Sequence, residues 1–152
     1  PGGLRMLDFV DFASFHTYDA GTLSAQVSAI KGWTEKPILL EEMGWPTALG
    51  GEQPRPNATF DEPTQSFLYE SMLRDAAGHD IAGVMQWTLW DYWGGKTHLV
   101  PGHERYFGLV RQDGTFKPAA AVFKERYSAV PLPSETRTDV PLDTSDVPNV
   151  RR

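Results

Sequence analysis

The run Lys36-Pro37-Ile38-Leu39-Leu40-Glu41-Glu42-Met43-Gly44-Trp45 ends an apolar stretch in a carboxylate and then breaks at a glycine. That pattern predicts a strand over Ile38 to Met43, buried on both faces, that delivers Glu42 to the mouth of a pocket. A carboxylate so placed is a candidate nucleophile, and a phenol donor beside it favours its ionised form. Counted by twos, Glu42 follows the buried row of Ile38 and Leu40, while Glu41 points to the opposite face and reads as structural. Upstream, LDFVDFASFHTY at 7–18 alternates and places Val10, Phe12, Ser14, His16 and Tyr18 on one face of a strand. Downstream, IAGVMQWTLW at 81–90 reads as a third strand carrying Trp87 and Trp90. Each of these residues also has a plainer reading: a solvated acid, satisfied core polar groups, and indoles that only pack.

The segments between must position these strand ends. Thr22 to Trp33 predicts a helix with Leu23, Val27, Ile30 and Trp33 as its stripe. Pro63 to Gly78 predicts a second, capped by Asp61 or Thr64, with Phe67, Leu68, Met72 and Ala76 facing inward. Lys117 to Ala129 predicts a third, opened by Pro118. Residues 45–62 and 91–106 are long Pro- and Gly-bearing loops, of the length that usually carries function or disorder. Phe107 to Val110 predicts a brief strand and Gln112 to Thr115 a tight turn. The order strand–helix–strand–helix–strand–helix argues for α/β architecture with a parallel sheet, whose sites lie at the strand C-terminal ends. From Pro131 the chain turns rich in Pro, Ser, Thr and Asp and reads as a linker or unstructured tail.

Composition narrows the function. The 152 residues suffice for one domain, and the net charge of -6, with no basic run before Arg151-Arg152, argues against nucleic-acid binding. No apolar run approaches the ~20 residues that cross a membrane, and no signal peptide is visible. The chain has no cysteine, which excludes disulfides and thiolate metal sites. His98, His103 and Glu104 fit no standard metal-ligand spacing, so no metal or other cofactor is expected. Gly94-Gly95-Lys96-Thr97 mimics the end of a phosphate loop, but Trp90 stands where that motif needs its first glycine. Aromatic content of 12%, with five Trp, suits a lined pocket as well as a core. Trp45, Trp90 and Trp93 are further candidates to line it; Asp91 is a candidate to bond substrate or to cap its loop. Asn57-Ala58-Thr59 fits a glycosylation sequon, of consequence only in a eukaryotic secretory setting.

His16-Thr17-Tyr18, KPILLEEMGW at 36–45, GVMQWTLWDY at 83–92 and FGLVRQDGTFKPAAAVFKE at 107–125 together resemble the last three strands and closing helix of a clan-A glycoside hydrolase. Within that clan the match is closest to the family 5 cellulase and mannanase-like group. The resemblance spans roughly residues 7–128 and implies a partial (β/α)8 barrel, about its last three βα units. It implies that Glu42 is the catalytic nucleophile, that Tyr18 orients it, that His16 belongs to the substrate site, and that Trp87 forms the platform under the sugar ring. Trp90 and Trp45 are then candidate subsite residues. The implied activity is retaining hydrolysis of β-linked glycans or glycosides, in which a second carboxyl group about 5–5.5 Å from the nucleophile serves as acid and then base.

The departures are as informative. The family's acid/base glutamate follows an asparagine, and this chain has no Asn-Glu pair. A complete barrel takes ~250 residues. Residues 1–130 are therefore expected to be the C-terminal portion of a barrel, with 131–152 the tail; the opening Pro1-Gly2-Gly3, without an initiator Met, reads the same way. Open strand edges predict a chain that is marginal alone and is completed by an N-terminal portion or a second copy. The partners expected are a carbohydrate substrate and that missing portion, with no nucleic acid and no membrane. The alternative is a non-catalytic carbohydrate-binding fragment or scaffold; a β-galactosidase- or xylosidase-like family is a rival within the enzymes. Compartment stays open, although action outside the cytoplasm suits a polysaccharide degrader.

Overall fold

A computed structural model describes residues 7–48, 58–92 and 102–129. Its three strands, β1 (Ala13–Thr17), β2 (Ile38–Met43) and β3 (Gly83–Gln86), form one parallel sheet in the order β1-β2-β3. The helices α1 (Leu23–Lys31), α2 (Glu62–Gly78) and α3 (Pro118–Ser128) follow the strands in turn, as the alternating pattern predicts. The expected tail from 131 and the Asn57 sequon lie outside the described residues.

The helices share one face of the sheet. Leu23 and Val27 of α1, Ile38, Leu40 and Met43 of β2, and Tyr69, Met72, Leu73 and Ala76 of α2 form a single buried cluster with Leu109 and Ala119. Burying a side chain of this size contributes about 1.5–3 kcal/mol, so this cluster dominates the stability of the unit. The stripe of α2 is rotated from the one expected. Gln65 and Tyr69 are fully buried, whereas Phe67 is 71% exposed. Polar residues can take these places because each finds a partner: Gln65 Nε2 donates to Trp45 O at 2.8 Å and Tyr69 Oη accepts from Trp45 N at 3.1 Å. In α1 the helix ends at Lys31, so Trp33 leaves the stripe and is exposed. Asp61 is the cap of α2, its carboxylate accepting from Thr64 N at 2.7 Å.

β2 keeps the predicted bounds, but only one of its faces is covered by helices among the described residues. β1 and β3 are shorter than expected. Residues 7–9 form a 3-10 turn instead of strand, and Phe9 is exposed. β3 leaves the ladder at Gln86, where its partner β2 ends at Met43. Trp90 pairs instead with Val110 as an isolated bridge, and Val110 with Phe116 across the predicted 112–115 turn, where Gly114 takes φ 84°.

Arg111 fastens this turn to the start of α2 by donating from Nε and Nη2 to the two oxygens of Glu62, at 2.7 and 2.6 Å. That hydrogen bonding, ahead of the opposing effect of burial, holds the Glu62 carboxyl below its usual 4.5. The folded-state value is lowered, so the pair's stabilisation is present above pH 4.5 and lost as pH falls through the lowered value. Glu62→Gln is expected to flatten the acid side of the stability profile, read as the urea midpoint between about pH 3 and 7. An unchanged acid slope would contradict the assignment.

Candidate functional site

The register between β1 and β2 builds the site. Ala13, Ser14 and Phe15 pair with Ile38, Leu39 and Leu40, but His16 pairs with Glu42, so the ladder skips Glu41. This irregularity inserts one residue into β2 and reverses the side-chain phase beyond it. Met43 therefore continues the buried row of Ile38 and Leu40, and Glu42 emerges on the face opposite the helices, beside His16. Strict alternation had put Glu42 in the buried row and turned Glu41 away. Instead both carboxylates reach one imidazole: His16 Nδ1 lies 3.1 Å from Glu42 Oε2, and His16 Nε2 lies 3.6 Å from Glu41 Oε2.

Tyr18, one residue past the end of β1, donates from its phenol to Glu42 Oε2 at 2.6 Å. Burial first, then this hydrogen bond and the negative charges of Glu42 and Glu104, push the Tyr18 phenol well above its usual range. The hydroxyl is thus held protonated as a donor to Glu42. Its ring packs edge-on against Phe107 with centroids 5.7 Å apart. Gly44 turns the chain away from Glu42 in a space that admits no side chain. A Cβ there would lie 2.5 Å from the Trp87 carbonyl oxygen and 2.7 Å from Phe107.

Trp87, which is joined to Thr88 by a cis peptide bond, donates from Nε1 to Glu104 Oε2 at 3.2 Å and meets Tyr92 edge-on. Trp45 stacks on Phe60 at 5.3 Å and an 8° interplanar angle, and its Nε1 donates to Thr59 O. One face of that indole is thereby occupied. A cavity of about 220 Å³ opens among Tyr18, Trp45, Phe60, His103, Glu104 and Phe107. A second, of about 280 Å³, shares Tyr18 and Trp45 with the first and reaches Asp19 and Met72. Trp90 lines neither; it is half exposed beside Val110. A larger cavity of about 480 Å³ lies at the start of β2, around Lys31, Lys36 and Asp80, and holds none of the candidate residues.

Glu104 has no role in the sequence reading beyond a dismissed metal cluster. Its signal, a carboxylate in a glycine-flanked loop after a strand end, is too common to stand out. Trp93, His98 and the Gly94–Thr97 segment lie outside the described residues. Among the described residues no group of three potential metal ligands converges. Asp91 is buried and paired with Lys117, with Lys117 Nζ 2.8 Å from Oδ1, and Gly108 N donates to the same oxygen at 2.8 Å. It therefore fastens its loop and does not face a cavity.

No protein-family model and no curated protein matches the chain. Solved structures do. The Lactobacillus rhamnosus β-glucuronidase is similar at TM-score 0.62 and 24% identity, over 83% of this chain and 24% of that one. The Dictyoglomus thermophilum β-D-glucuronidase is similar at TM-score 0.59 and 23% identity, over 81% of this chain and 23% of that one. A GH2 β-galacturonidase from Eisenbergiella tayi, bound to galacturonate, is similar at TM-score 0.60 and 20% identity, over 80% of this chain and 24% of that one. The names are those of uronidases, one of them a GH2 enzyme, and not of the family 5 cellulases and mannanases to which the strand-end residues point; those residues alone do not separate the groups. The chain spans about a quarter of the length of these glycoside hydrolases, and what it shares with that quarter is the fold.

Proposed function

We propose that this chain is the C-terminal portion of a (β/α)8 barrel, residues 1–130, in a retaining glycoside hydrolase acting on β-linked glycosides. Glu42 is the nucleophile, Tyr18 orients it and His16 and Trp87 hold the sugar. The observation that carries this reading is the 2.6 Å bond from the Tyr18 phenol to Glu42, made at the C-terminal end of a parallel sheet. A carboxylate that will attack an anomeric carbon must be ionised and fixed in direction, and the Tyr18 phenol on Oε2, with His16 Nδ1 3.1 Å from the same oxygen, supports both. The other oxygen is left for the substrate. Trp87 offers an indole for the apolar side of a pyranose.

The open face of the sheet supports the barrel. Met85, Leu89 and Trp90 are each about half exposed there or beyond the end of β3, and β1 has a free edge among the described residues. The first five strands of a barrel would cover both. They would also bring the acid/base carboxylate, since the chain has no Asn-Glu pair. Trp45, in the wall of the cavity beside Tyr18, and Trp90, outside it, would then line subsites.

The polypeptide carrying this chain is expected to hydrolyse an aryl β-glycoside with retention. Proton NMR of the first-formed sugar reads this directly: β-anomer first supports double displacement through Glu42, and α-anomer first refutes it. Sugar binding without turnover would favour the scaffold reading.

A further inference from the structure

The cavity beside Tyr18 is walled by aromatic rings and carries one carboxylate, Glu104. Glu104 sits in the 3-10 segment Gly102–Tyr106 and is only 30% exposed. Its Oε2 accepts from the Trp87 indole, and its Oε1 lies 3.5 Å from His103 Nε2. Among the described residues that line the cavity there is no lysine or arginine, and its one basic side chain, His103, is already turned to Glu104. Glu42 adds a second negative charge behind Tyr18, whose phenol donates to it at 2.6 Å and is pushed up by burial first and then by both carboxylates. A ligand entering here meets aromatic faces, a hydrogen-bond acceptor and a negative field.

We propose that Glu104 determines charge selectivity at this cavity, admitting neutral pyranosides by accepting a ring hydroxyl and excluding sugar acids by repulsion. This rests on the reading of the site as a sugar site, and it sets the chain apart from the uronidases whose fold it shares. Two carboxylates brought together in a partly desolvated pocket repel strongly enough to separate the two ligand classes by roughly 10- to 100-fold. Glu104 is also a positioning residue for Trp87, because it fixes the plane of the indole that would carry the sugar.

The test compares binding of phenyl 1-thio-β-glucoside and phenyl 1-thio-β-glucuronide, which resist hydrolysis, to the polypeptide carrying this chain and to its Glu104→Gln and Glu104→Ala variants. Titration calorimetry is the readout. The expected result is at least about tenfold preference for the neutral sugar, collapsing in both variants. Gln keeps one acceptor, for the Trp87 indole, and loses the one offered to the ring hydroxyl, so its neutral-sugar affinity falls less than that of Ala, which loses both. Equal or tighter binding of the uronide by the unmodified protein overturns the proposal without any variant. A preference unchanged in Glu104→Gln, or no binding of either sugar, overturns it too. Aryl glycoside turnover on the same samples is a separate readout: discrimination without turnover sinks the hydrolase reading and leaves Glu104 its role.

Discussion

Replacing Glu42 with Gln is expected to lower turnover of an aryl β-glycoside by roughly 10⁴-fold while sugar affinity changes little. The amide keeps an oxygen for the Tyr18 phenol and the shape of the side chain, so the site stays assembled. What it loses is the negative charge that, on the proposed mechanism, attacks the anomeric carbon, and neither His16 nor Glu41 is placed to replace it. Glu41 shares His16 with Glu42, but it is the residue the ladder skips and accepts no bond from Tyr18. Glu41→Gln is accordingly expected to retain most activity. Loss of activity in Glu41→Gln with retention in Glu42→Gln would exchange the two roles. Steady-state rates beside calorimetric affinities separate these outcomes, since a binding module would show no rate in any of the proteins.

The largest stability effect is expected at Lys117. Its side chain is 1% exposed, and the ammonium donates to Asp91 Oδ1 at 2.8 Å, Thr47 Oγ1 at 2.9 Å and Tyr106 O at 3.0 Å. All three protons are therefore used. Burial lowers the Lys117 pKa, and the bond to Asp91 opposes that shift. Lys117→Met strands a buried carboxylate and is expected to cost about 3–5 kcal/mol. Lys117→Met with Asp91→Asn removes both charges and is expected to cost less than the two single changes summed. Urea denaturation of the three variants checks both statements. A loss under about 1 kcal/mol in Lys117→Met would show that water reaches the pair. Gly108 belongs to the same knot: a Cβ there would meet Asp91 N at 2.2 Å.

The sequence carries the elements better than their faces. Ile38 to Met43 has the same bounds in the sequence pattern and the structure, because a short apolar run between Pro37 and Gly44 leaves no other choice. The bulge at Glu41 is not visible there, since it depends on how His16 of another strand pairs. A one-residue slip exchanges the faces, and here it moves Glu42 from the buried row to the site. The α2 stripe held at Met72 and Ala76 but failed at Phe67 for a related reason. Gln65 and Tyr69 look like surface residues until the carbonyls of Trp45 and Phe107 and the Gln86 amide converge on them. That His16, Tyr18 and Glu42 meet was legible, because strand ends gather at one edge of a parallel sheet. Glu104 was not, because the structure of its loop is needed to bring it to Trp87. Trp90 shares a strand pattern with Trp87 but leaves the ladder for Val110.

The most direct test of the central claim is covalent trapping. A 2-deoxy-2-fluoro-β-glucosyl fluoride needs little acid assistance to leave, and its fluorine slows hydrolysis of the glycosyl-enzyme. Incubation with the polypeptide carrying this chain, followed by peptide mass mapping, is expected to find one sugar on the peptide containing Glu42 and none in Glu42→Gln. A sugar on any other carboxylate, or continued hydrolysis by Glu42→Gln with no adduct, would contradict the assignment.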